Sequence, residues 1–177
     1  MLARNVLSEL ASHRIEGFAL DRDEPFEVPL VSHIAGNLWV GGCVPGVRLP
    51  AEVEHVVSLY AWGSYAIGPG TCRLRVAMSD HAAMPDLVVL DALASYVLDA
   101  VAQGPTLVHC QAGLNRSGLV AAYALVLDGM APATAIRLLR QRRSPQVLCN
   151  PVFEAWLLAL ASGPAARPPA NQQGIVR

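Results

Sequence analysis

Residues 106–118 read Thr-Leu-Val-His-Cys-Gln-Ala-Gly-Leu-Asn-Arg-Ser-Gly. The first five, Thr106 to Cys110, are short and nearly all apolar, the pattern of a strand at the centre of a sheet covered by helices. A five-residue loop separates Cys110 from Arg116, and the apolar run over 117–128 predicts a helix. A strand that breaks into a short loop and at once into a helix is the building unit of an α/β domain.

The same residues carry a chemistry. A thiol attacks poorly until it becomes a thiolate, and that charge needs compensation. The loop N–H groups, the start of the helix and the Ser117 hydroxyl can supply it. A ring of N–H groups around a sulfur also suits a phosphate or sulfate dianion, and the planar fork of Arg116 can grip two of its oxygens. The phosphate-binding loop expected is thus Cys110, Gln111, Ala112, Gly113, Leu114, Asn115 and Arg116. Gly113 allows a backbone turn that a Cβ would obstruct. A Cys and an Arg six positions apart are weak evidence alone, since chance supplies roughly 0.3 such pairs in this chain. The preceding strand, His109, Gly113, Ser117 and the opening helix supply the context.

Outward from this segment the chain alternates. Strands are expected at 38–40, 55–60 and 73–78, with a short helix from Pro50 through Glu54. Helices are expected at 86–103, 132–143 and 150–160, with Asp86 and Asn150 as N-caps, Pro132 at a helix start and Gly129 as a C-cap. Phe153, Trp156 and Leu157 should face inward, and Trp39 reads as packing. Residues 1–17 read as an amphipathic helix built on Val6, Leu7, Leu10 and Ile15, and 21–29 as an acidic extended connector. The division expected is therefore 1–29 as leading helix and connector, 30–161 as a catalytic domain and 162–177 as a loose tail. The fold class expected is α/β: a single compact domain whose central mixed, largely parallel sheet is flanked by helices.

Composition sets bounds. A chain of 177 residues, 53% hydrophobic, with a formal net charge of -1, is one folded domain rather than a disordered or wholesale nucleic-acid-binding chain. No apolar run reaches the length of a membrane span. Cys43, Cys72, Cys110 and Cys149 form no paired spacing, so neither a zinc site nor a disulfide scaffold is indicated; no metal and no cofactor are expected, and Cys43, Cys72 and Cys149 read as inert thiols. The cytoplasm is the expected compartment and a monomer the expected state. Thirteen arginines beside no lysine are the mark of a GC-rich genome, bacterial in the simplest reading. Among them Arg137, Arg140, Arg142 and Arg143 form a basic cluster, either a solvated face or a patch that meets an anionic substrate.

His-Cys-x5-Arg-Ser, met here as His109-Cys110 to Arg116-Ser117, resembles the signature of the cysteine-dependent protein tyrosine phosphatase superfamily. The chain's length and the approach through IAGNLWVGG (34–42 with His33 before it) are similar to its dual-specificity branch, over roughly residues 30–160. The resemblance implies a two-step hydrolysis of phosphomonoesters through a cysteinyl-phosphate, on phosphotyrosine and also phosphoserine or phosphothreonine proteins. Cys110 would be the nucleophile, with Arg116 and the loop amides on the transferring phosphoryl group. Ser117 would assist departure of the sulfur. Expulsion of an alkoxide or phenoxide needs a proton donor on a loop, and Asp80 and Asp86 are available. The resemblance places the acid about thirty residues before the cysteine, which favours Asp80; Asp86 sits at a helix start, where an Asp is commonly structural. His109 reads as a support, with a base role the alternative. Asn115 either satisfies loop backbone groups or echoes the RNA 5'-triphosphatase branch. Other readings are the same chemistry on a phosphoinositide, carbohydrate phosphate or RNA 5'-phosphate, a phosphate-binding pseudophosphatase, and a sulfur-transfer or arsenate-reducing enzyme. The last two fit less well, because Cys110, Arg116 and an acid are all present.

Overall fold

In the computed structural model, which describes residues 8–19, 24–62 and 64–162, the elements follow one another as α1 (Ser8–Ser12), β1 (Arg14–Ala19), β2 (Glu24–Pro29), β3 (Val31–Ala35), β4 (Leu38–Gly41), β5 (His55–Ser58), β6 (Cys72–Arg75), α2 (Leu87–Gln103), β7 (Thr106–His109), α3 (Arg116–Leu127), α4 (Pro132–Arg142) and α5 (Pro151–Ala159). β1 and β2 form an antiparallel hairpin, and the main sheet has the order β3-β4-β7-β5-β6. Within the main sheet only β3 and β4 pair antiparallel; β7 lies parallel to both β4 and β5, and β6 is parallel to β5. The expected fold class holds: a single α/β domain around a mixed, mostly parallel sheet.

The central strands β4 and β7 are buried along their whole length because both faces of the sheet are covered there, while edge strand β6 alternates arginine with other residues and stays partly exposed. Leu38, Val40, Val57 and Val108 point to one side, into a core shared with α2, α3, α4 and α5. Trp39, Val56 and Leu107 point to the other, where Leu10, Leu30, Leu49 and Val53 meet them. Central β7 is buried along its whole length, so its C-terminal end fixes the start of the motif loop rigidly. The helices start and stop on local chemistry. Asp86 Oδ1 accepts from Val88 N at 2.8 Å and caps α2. Gly129 follows α3 with φ +102°. Pro132 and Pro151 open α4 and α5, where no backbone donor is missed.

Four expectations differ from this structure. Arg14–Ala19, expected in a leading helix, is strand β1, and the connector at 24–29 is its partner β2, so the helix is confined to Ser8–Ser12 among the described residues. Residues 1–7 of that helix lie outside the described residues, as does the tail from residue 163. The segment 31–41 is two strands rather than one, folded back at Gly36, whose φ is +50°. Pro50–Glu54 makes one turn, closed by Val53 N to Pro50 O at 3.1 Å, and no helix. No helix among the described residues is long and apolar enough to cross a membrane.

Candidate active site

The loop after β7 curls around the Cys110 sulfur. Gly113 N donates to Sγ at 3.2 Å and the Ser117 hydroxyl lies 3.4 Å from it. Both contacts stabilise negative charge on sulfur, and the residue is only 2% exposed. Gly113 is held at φ +76°, and a Cβ built there would lie 2.4 Å from the Gly41 carbonyl oxygen. Conformation and space each demand glycine. The backbone of β4 supports the loop directly, through Cys110 N to Gly41 O at 3.3 Å and Cys43 N to Gln111 O at 2.9 Å.

Leu114 belongs to the expected loop through its backbone, and its side chain turns the other way. It is buried and packs into the core beneath the helices. Its carbonyl is also engaged, accepting from Leu148 N at 3.2 Å. The physical reason is that a leucine gains about 2 kcal/mol by leaving water, and contact with a solvated dianion would forfeit this. Leu114 therefore anchors the loop to the body, and its side chain offers the anion nothing.

Arg116 stands at the first position of α3. Its Nη1 donates to Met78 O at 3.2 Å, while its buried Nε has no hydrogen-bond partner. Asp80 Oδ2 lies 3.9 Å from that Nε, and the guanidinium also lies over the Tyr60 ring at 5.6 Å. Cys110, Arg116, Ser117 and Asp80 therefore converge. Asp86 does not join them as a free carboxylate, because its Oδ1 is held by the first turn of α2.

His109 is buried, and burial pushes its pKa down to about 4, so the ring is neutral at pH 7. Its Nδ1 lies 3.1 Å from Cys110 O, which can only accept, so Nδ1 carries the hydrogen. Nε2 then accepts from the Tyr65 hydroxyl, whose ring meets the imidazole edge-on at 5.0 Å between centroids. With both nitrogens engaged, the ring fixes the entry to the loop. Asn115 turns away from the sulfur: its Oδ1 accepts from Asn150 N at 2.9 Å and from Cys149 Sγ at 3.3 Å. Its carbonyl oxygen thus satisfies a backbone donor at the start of α5.

The basic cluster does not form one surface. Arg143, read from sequence as part of a solvated face or a substrate-facing patch, is instead 6% exposed and turned inward. Its Nη2 donates to Ala112 O at 2.7 Å and its Nε to Gly113 O, while Nη1 reaches Pro29 O, Ser32 Oγ and Val40 O at 3.1–3.2 Å. The reason is that two loop carbonyls, aimed away from the anion side, need donors behind the loop, and a guanidinium has enough of them to serve both and three strand-side oxygens. Burial lowers its pKa to about 10, which leaves it a cation at pH 7. Arg140 pairs with Glu154 at 2.9 Å, Arg137 donates to Thr134 Oγ1 at 3.3 Å, and Arg142 is exposed. A sequence signal for Arg143 exists: buried Pro132, Ala135, Ile136 and Leu139 make a stripe along α4, and the next helical step of four lands on residue 143. Tyr65 and the amide of Asn150 carry no comparable signal, since their partners are distant in sequence.

The family model for the dual specificity phosphatase catalytic domain matches residues 66–162, more than half of the chain. The chain belongs to that family. This dual specificity phosphatase is accordingly of the cysteine-dependent type, and the matched span contains the whole of the converging constellation. Solved structures share its fold. Human DUSP28 superposes with a TM-score of 0.63 at 24% identity, over 76% of this chain and 94% of that one. The human tyrosine phosphatase-like serine/threonine/tyrosine-interacting protein gives 0.63 at 18%, over 75% and 95%. PTPMT1 in complex with PI(5)P gives 0.53 at 18%, over 75% and 99%. No curated protein sequence matches the chain.

Proposed function

We propose that this chain hydrolyses phosphotyrosine, and also phosphoserine and phosphothreonine, in proteins, with Cys110 as nucleophile and Asp80 as general acid. The observation that supports this most is that Ser117 meets the Cys110 sulfur while the adjacent Arg116 carries its Nε, free of hydrogen bonds, within 3.9 Å of the Asp80 carboxylate. In the first step the Cys110 thiolate forms an S–P bond in line as the ester P–O bond breaks, and the Asp80 proton goes to the leaving oxygen. The Arg116 fork and the loop amides hold the three equatorial oxygens, over which the charge of the transferring group is spread. In the second step water attacks phosphorus and gives its proton to the Asp80 carboxylate. The P–S bond breaks, and the Ser117 hydroxyl donates to the departing thiolate. Every proton and electron pair is accounted for by these residues and water.

The test compares hydrolysis of phosphotyrosine and phosphothreonine peptides by wild type, Cys110→Ser and Asp80→Ala. A phosphoinositide belongs in the set, because the PTPMT1 structure holds PI(5)P. Cys110→Ser should abolish turnover of every substrate, and Asp80→Ala should cut the phosphothreonine rate most, since an alkoxide leaves less readily than a phenoxide. Turnover by Cys110→Ser would end the mechanism. A wild type faster on the phosphoinositide than on either peptide would reassign the substrate.

A further inference from the structure

Asn150 caps α5, but the cap uses only part of its side chain. Its Oδ1 accepts from Val152 N at 3.1 Å. The amide nitrogen, a group with two donor hydrogens, gives to Asp80 Oδ1 at 3.1 Å and to His81 O at 3.0 Å. The backbone N–H of the same residue donates to Asn115 Oδ1 in the motif loop at 2.9 Å. One residue, 2% exposed, therefore ties together the N-terminus of α5, the loop that bears Asp80 and the loop that bears Arg116.

The amide does more than hold the loop down. An N–H pointed at Oδ1 keeps that oxygen an acceptor. The carbonyl oxygen is the better acceptor, so a neutral Asp80 is favoured to carry its hydrogen on Oδ2, the oxygen that faces Arg116 Nε at 3.9 Å. Because an amide does not titrate, the direction of this bond is the same in both halves of the reaction. We propose that Asn150 is the positioning residue of the acid–base step: it fixes which oxygen of Asp80 gives and takes the proton, and aims that oxygen at the phosphoryl site. This rests on the assignment of Asp80 as general acid.

Capping and positioning separate chemically. Serine caps a helix about as well as asparagine, so Asn150→Ser retains an acceptor for Val152 N, yet it lacks the forked amide that spans Asp80 and His81. The experiment measures kcat/KM for aryl phosphates whose leaving groups run from strongly acidic to weakly acidic phenols, in wild type, Asn150→Ser and Asp80→Asn. The ratio of poor to good leaving group does not depend on how much of a preparation is folded. General acid catalysis contributes about 10²–10⁴-fold, so Asp80→Asn should lose that much on the poorest leaving group relative to the best. Asn150→Ser should show the same steepening in part, a roughly tenfold greater loss on the poorest than on the best. An equal loss across the series in Asn150→Ser, with Asp80→Asn steep, overturns the inference and leaves the acid assignment standing. A flat series in Asp80→Asn removes the acid assignment and this inference with it.

Discussion

At the scale of single residues, the cradle for the anion is set from behind. Among the described residues Arg143 pairs with no carboxylate; its donors go to carbonyl and hydroxyl oxygens of the motif loop and its neighbours. A buried carbonyl left without its donor costs about 1–3 kcal/mol. Arg143→Met should lower unfolding free energy in urea by at least that much. Arg143→Lys, which keeps the charge, should still reduce kcat/KM, because an ammonium with three donors cannot span five acceptors on both sides of the loop. Equal activity of the lysine variant and wild type would show that charge alone matters there. His109 adds a pH dependence. Its folded pKa of about 4 lies below the ordinary 6.5, so between these values the unfolded chain binds the extra proton. Stability is full above pH 6.5 and falls as pH drops towards 4, by on the order of 3 kcal/mol. His109→Gln should flatten that part of the Tm-versus-pH curve.

Element by element, two aspartates six positions apart do different work because one sits at a helix start and one on the loop before it. Asp86→Ala should cost about 1 kcal/mol of stability through the lost α2 cap and leave the leaving-group dependence of the rate alone. Asp80→Ala should do the reverse, as urea titration beside aryl phosphate kinetics would show. The elements that sequence reading recovered carry their own signals. Thr106–His109 is buried throughout, α2 has Asp86 before it and Gly104 after, and α4 and α5 begin on proline. The misses are equally physical. Leu10 and Ile15 have helical spacing with Val6 and Leu7, but Ile15 is taken by β1, whose pairing with Val28 lies thirteen residues away and leaves no mark in a local pattern. Cys110 and Arg116 were singled out as a candidate site by His109, Gly113 and Ser117 around them as well as by their spacing. The spacing does not say which loop side chains face the anion, and Leu114 faces the core instead. The bonds of Tyr65 and Asn150, which join residues 35 to 70 positions apart, left no trace either, and the α4 stripe marks the burial of Arg143 but not its partners.

For the molecule as a whole, the leading hairpin is part of the body. Leu10 and Val28 are buried, Leu30 N donates to His13 O at 2.7 Å, and Gln146 Nε2 donates to Pro25 O at 3.1 Å. Ile15 packs so closely on Gly42 that a Cβ there would lie 2.2 Å from its Cδ1. We propose that the folding unit begins before residue 30. A chain truncated to 30–162 should be about 5 kcal/mol less stable in urea than one that retains the hairpin, from two buried side chains and the lost backbone bonds. Equal midpoints would restore the boundary at residue 30.

The bracing of the motif loop by Arg143 has a cost in turnover. Under the proposed function, a cradle already shaped for a dianion needs little reorganisation to hold one, inorganic phosphate as well as a phosphate ester. The rigidity that favours attack therefore also retards release: product phosphate becomes a competitor of substrate, and in a phosphate-rich solution it acts as a ligand that stabilises the fold while silencing the enzyme.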